Sequence, residues 1–237
     1  MKKMMLVFLL IFVFPTVSFA YDNYANYVDP FIGTGGHGHT FPGAVVPFGM
    51  VQLSPDTGVE GWDWCSGYHY SDNSIMGFSH THLSGTGAAD YGEVRVMPAV
   101  GDLKIVPGPK DNPDIGYRSR FNHENEVAQP GYYSVLLEDY NILAELTTSS
   151  RVGFHRYTFP KTDDAYIIFD LYTRIGDMAE GAWVNIVGDS EIVGSITGGH
   201  FCGAKDPQTI YFVAEFSKPF EEFGTWRSEE RRVGKEC

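Results

Sequence analysis

The chain has 237 residues, 30 acidic against 17 basic side chains, a formal charge of −13, 43% apolar and 15% aromatic residues, 27 Gly and 13 Pro. That composition excludes a disordered chain, a collagen and a coiled coil, and the length suffices for one large all-β domain or two small ones with no disulfide staples. So negative a protein is repelled by nucleic-acid backbone and by anionic membrane, which leaves neutral ligands as the expected partners.

Residues 1–20 read as an export signal: Lys2 and Lys3, an apolar run at 4–14, then Val17-Ser18-Phe19-Ala20 with small residues where a signal peptidase cuts. The run is shorter than the about 20 residues a bilayer span needs, and no later segment approaches that length. Tyr21, where a lipoprotein would have its acylated Cys, predicts a soluble periplasmic or secreted product.

Three strings in the first third carry far more polar and aromatic side chains than a core needs, as loops that bind or react do. Residues 29–44, DPFIGTGGHGHTFPGA, set four glycines around His37 and His39, which share one face if the segment is extended. Residues 61–70, GWDWCSGYHY, place Trp62 and Trp64 on one face of an extended chain with Asp63 on the other. Residues 77–87, GFSHTHLSGTG, place His80 and His82 together before a Ser-Gly-Thr-Gly turn. Two His-x-His pairs are one route to a zinc site, which takes three protein ligands and an open position. Saccharide binding accounts for more of the set, because a sugar ring offers an apolar face to Trp and hydroxyls to Asp, His and Ser. The expected ligands are therefore Trp62, Asp63, Trp64, His80 and His82, with His37, His39, Cys65 and Ser84 as pocket wall or interface. Tyr68, Tyr70 and Phe78 read as core, and Asp90 and Glu93 as loop and strand-edge residues.

Residues 106–116, with three prolines and two glycines, predict a long exposed loop. From Gly131 the pattern is regular, with period-two runs at 132–137, 142–148, 152–158, 165–171, 183–187, 191–196 and 209–216. Short runs punctuated by Gly, Asn, Asp or Pro predict an antiparallel β-sandwich, with Arg151, His155 and Arg156 in cross-strand packing and ion pairing. Cys65 and Cys202 define no disulfide framework by themselves. Residues 227–237, RSEERRVGKEC, break the composition abruptly and read as a translated sequencing adapter, so the domain is expected over 21–226.

The strings YVDPFIGTGGHGHTFPGAVVPFGMVQLSPDT, GWDWCSGYHYSD, GFSHTHLSGTG, PGYYSV and GFHRYTFP, in this order, resemble the amino-terminal domain of glycoside hydrolase family 92. The resemblance implies an exported, calcium-dependent, inverting exo-α-mannosidase, built as a β-sandwich followed by an (α/α)6 barrel. In such enzymes the acid, the base and the calcium ligands belong to the barrel, the two carboxyl groups standing about 6.5–9.5 Å apart to admit water. This chain is then expected to hold no catalytic residue and no metal ligand. Its partners would be a mannose-terminated glycan, α-1,2-linked, and its own absent barrel, with His37 and His39 bracing the sugar-binding wall or joining the barrel interface. A stand-alone carbohydrate-binding module and a periplasmic histidine-rich metal-binding protein are the alternatives.

Overall fold

The computed structural model describes residues 23–226; the export signal and the adapter-like tail lie outside the described residues. Fourteen strands occur among the described residues: β1 (Ala44–Val45), β2 (Gln52–Asp56), β3 (Ser74–Ile75), β4 (Gly77–Ser79), β5 (Arg95–Val100), β6 (Ser119–Arg120), β7 (Glu126–Gln129), β8 (Tyr132–Leu137), β9 (Ile142–Thr148), β10 (Gly153–Thr158), β11 (Ala165–Asp170), β12 (Gly181–Val187), β13 (Glu191–Gly198) and β14 (Gln208–Glu215). All pairings are antiparallel, and the only helices there are single 3₁₀ turns. The sandwich class expected from the alternation is the class observed.

A four-stranded meander, β10-β9-β8-β7, faces a five-stranded sheet, β1-β2-β4-β5-β11. The meander forms because its alternation is local. In β9, Ile142, Ala144 and Leu146 are buried while Leu143 and Thr147 are exposed, and Asn141 takes the left-handed conformation needed in the turn before it. Tyr133, Val135 and Leu137 of β8 join them and meet Leu53, Phe78, Met97 and Ala99 of the facing sheet in one core. Each such side chain, fully removed from water, contributes about 1.5–3 kcal/mol.

Strand β5 is buried along both faces, and a third layer packs against the edge strand β11 beside it. This layer is the meander β12-β13-β14, joined through Phe212 of β14, which stacks on Phe169 of β11 with centroids 6.2 Å apart. At the end of the core nearest the loops lies a charged cluster. Arg95 Nε donates to Asp56 Oδ2 at 2.8 Å, Arg95 Nη1 donates to the Thr173 carbonyl at 2.9 Å, and the Tyr117 hydroxyl donates to Asp170 at 2.6 Å. Burial pushes the Asp56 carboxyl up, and Arg95 and His82 more than reverse this, holding it below the usual carboxylate range.

Candidate functional site

Three loops meet at that end of the sandwich. The glycine-rich segment 29–44 does not run extended. It turns at Asp29, whose Oδ1 accepts the Phe31 N–H at 2.9 Å, and closes where the Thr40 N–H donates to the Gly33 carbonyl at 3.2 Å. A Cβ on Gly38 would sit 2.1 Å from the Gly33 oxygen, so this return requires glycine. As a result His37 points outward while His39, with φ +55°, is 6% exposed. The shared face expected for the two histidines is lost to the turn.

The second segment is one 3₁₀ turn, Trp62–Trp64, entered through Gly61. At three residues per turn the two indoles diverge, where a strand would have aligned them. Trp62 is 59% exposed, and its ring lies so close over Gly87 that a Cβ there would be 2.1 Å from Cη2. The His39 ring meets it edge-to-face, with centroids 4.8 Å apart. Beside it, His37 Nδ1 and Asp63 Oδ1 are 2.5 Å apart. The third segment joins through Gly85, whose N–H donates to the His39 carbonyl at 2.6 Å, and Ser84 is exposed in that turn. The outcome is an aromatic shelf with a polar rim, set on backbone contacts between all three strings.

Trp64 is anchored elsewhere. Its Nε1 donates to Asp72 Oδ2 at 2.6 Å, and Lys110 Nζ stands 3.6 Å over its ring centroid while bonding Asp72 Oδ1 at 2.9 Å. Cys65 is a free, buried thiol rather than a wall residue, and burial, with Asp63 adding, pushes its pKa up.

His80 and His82 also depart from the expectation that they face a ligand. The His82 side chain is fully buried, with Nδ1 on the Gln52 carbonyl at 2.7 Å and Nε2 on Asp56 Oδ1 at 2.9 Å. His80 Nδ1 donates to the Val94 carbonyl at 2.7 Å, and its Nε2 faces His155 Nε2 at 3.0 Å. Both rings are spent on joining the third string to the sheets. Cross-strand pairing did hold for Arg156, directly opposite Glu145 in register with Nε donating at 2.6 Å.

Asp90 and Glu93 are not edge residues. Both are buried against Arg174, whose Nη2 reaches Asp90 Oδ1 at 2.7 Å and Glu93 Oε1 at 2.6 Å, with Asp177 on Nη1. A buried guanidinium is tolerated because three carboxylates compensate its desolvation. Local sequence carries only the Arg174–Asp177 part of this cluster, since Asp90 and Glu93 lie some eighty positions from Arg174.

The four histidines of the two His-x-His pairs do not converge, and among the described residues no group of three or more His, Cys, Asp or Glu could hold a metal ion. Nor is any helix among them long and apolar enough to cross a membrane.

The model of the glycosyl hydrolase family 92 N-terminal domain matches residues 27–236. The chain belongs to glycosyl hydrolase family 92. It is similar to a solved family 92 α-mannosidase of Bacteroides thetaiotaomicron, determined alone and with mannoimidazole, at 41% identity and a TM-score of 0.79, covering 84% of this chain and 26% of that one. A family 92 inverting mannosidase of the same organism aligns at 27% identity with a TM-score of 0.68, covering 86% and 26%. A curated relative, an uncharacterized secreted glycosidase of Arthroderma benhamiae, is 30% identical over 180 residues, 70% of this chain and 22% of its own length. The family 92 domain described here therefore spans about a quarter of the length of these relatives.

Proposed function

We propose that this chain is the substrate-gripping amino-terminal domain of an exported, inverting α-mannosidase that removes terminal mannose, α-1,2-linked, from glycans. The observation that carries the reading is the Trp62 shelf, an exposed indole seated against Gly87 and His39 and flanked by the His37–Asp63 pair. An indole face packs against the C–H face of a pyranose, and an adjacent imidazole and carboxylate supply, respectively, the donor and the acceptor its hydroxyls require. Trp64, His80 and His82 then act as positioning residues behind the shelf, in place of the direct contacts expected of them.

The carboxylates buried near the shelf support a division of labour. Asp56 is committed to Arg95 and His82, and Asp90 and Glu93 to Arg174, so none is poised as a proton donor to a sugar oxygen. Proton transfer would fall to the longer part of the protein represented in the relatives, and this chain by itself would bind without hydrolysing. The calcium that the family resemblance implies would be held by that same part. Holding the ring in place would be this domain's contribution to the rate.

Titration of the purified chain with α-1,2-mannobiose, alongside an assay for released mannose, tests the reading. Weak binding, lost at least tenfold in Trp62→Ala, with no release, is expected. Unchanged binding in that variant refutes the shelf, and enzymatic release refutes the division of labour.

A further inference from the structure

One face of the third layer carries exposed aromatic side chains. Strands β12, β13 and β14 are in register so that Trp183, Ser195 and Tyr211 lie side by side across the sheet. Trp183 is 50% and Tyr211 74% exposed, while Ser195 between them is 4% exposed. The opposite face of the same sheet packs through Phe212 onto Phe169, so these aromatics are not needed to hold the layer in place.

We infer that this face is a second saccharide site, a flat platform for a neutral glycan chain. The two ring-bearing positions are two strand spacings apart, about 10 Å, a distance that an oligosaccharide spans and a single sugar does not. Rigid Trp and Tyr rings present apolar surface for pyranose C–H faces at little entropic cost. The row beside them is hydroxylic and uncharged, with Thr197 Oγ1 and Thr209 Oγ1 hydrogen-bonded at 2.9 Å and Gly181 leaving room next to them. On the other side Asn185 adds an amide, in one row with Val193 and the exposed Val213, which extend the apolar surface of the platform. No basic side chain stands on this face; its charges are Glu191 and Glu215 at the far end, so an anionic polymer is disfavoured and a neutral polyol matches in charge. The choice of a glycan rests on the function proposed above, and the platform would hold a polymeric substrate while the shelf takes its end, raising the local concentration of chain ends.

Affinity electrophoresis of the full chain through gels containing soluble α-mannan tests this, with Trp183→Ala, Tyr211→Ala and Trp62→Ala run in parallel and thermal unfolding of each variant recorded. Retardation by mannan should weaken at least tenfold in Trp183→Ala and in Tyr211→Ala, while mannobiose binding stays as in the parent. The highly exposed Tyr211 serves as the arm in which folding is least at risk. Equal retardation of parent and both platform variants overturns the platform and leaves the shelf standing. Retardation that depends on Trp183 and Tyr211 together with mannobiose binding indifferent to Trp62→Ala keeps the platform and overturns the shelf. A concentration-dependent dimer, seen by light scattering and abolished by Trp183→Ala, assigns the face to self-association and also overturns the proposal.

Discussion

Acidification should loosen the sandwich at one identifiable place, the histidine pair that ties the third string to β10. His80 and His155 face each other through Nε2 atoms 3.0 Å apart, with His80 Nδ1 donating to the Val94 carbonyl and His155 Nδ1 paired with the Tyr157 hydroxyl at 2.7 Å. Only one proton fits between the two Nε2 atoms, so a second proton sets two N–H groups head to head. Burial, reinforced by His82, pushes His80 down to about 4, and burial and His80 together hold His155 well below the ordinary histidine value. For groups depressed on folding, the stability they lend is complete above the unfolded pKa near 6.5 and is lost as pH falls towards the folded one. The window is therefore from about pH 6.5 to about pH 4, and its upper part lies above the range in which ordinary carboxylates titrate. For His80 alone the full shift corresponds to about 3 kcal/mol, which solvent reaching the half-buried residue screens to about 2 kcal/mol. In a chain of this size that lowers Tm by about 4–8 °C. Thermal and urea unfolding at pH 7 and pH 4.5, on the parent and on His155→Leu, is the assay. The acid loss should shrink by about half in the variant, which has one titrating ring instead of two. An identical acid loss in both proteins would refute the reasoning. His200, raised by its hydrogen bond to exposed Glu180, acts with the opposite sign and so cannot imitate the effect.

Other consequences follow from the same geometry. Asp56→Ala strands Arg95 in the core without its carboxylate and should cost about 3–5 kcal/mol in urea unfolding; a loss under 1 kcal/mol would show that solvent reaches the cluster. Trp64→Ala removes an indole anchored by Asp72 and Lys110 and should lower stability by about 1–3 kcal/mol, with mannoside binding disturbed only indirectly; a variant of full stability that has lost all binding would return Trp64 to the ligand-contacting set. Gly87→Ala drives a methyl into the ring of Trp62, so the indole should lift from its seat, altering tryptophan fluorescence and weakening mannobiose binding as Trp62→Ala does. Unchanged fluorescence and affinity would mean that the shelf is not seated on that glycine.

Much of the architecture is legible in the linear order of residues. Strands β8 to β14 follow from alternation and turn residues a few positions apart, so each of these lies within two residues of its expected bounds, whereas β7, ahead of the regular pattern that begins at Gly131, is not among the runs the alternation predicts. The three strings announce a polar, aromatic surface for the same reason, since a core has no use for that many Trp, His and Gly together. What the sequence could not decide is which of those side chains the surface keeps. A positive φ at Gly61 and one 3₁₀ turn separate Trp62 from Trp64, and the return of the chain at Gly38 sends His39 inward and His37 outward. His82, Asp90 and Glu93 look like surface chemistry until Asp56 and Arg174 arrive from 26 and about eighty positions away to bury them. Backbone pattern is written in near neighbours and can be read from them; the burial of a charge depends on a partner that only tertiary folding delivers.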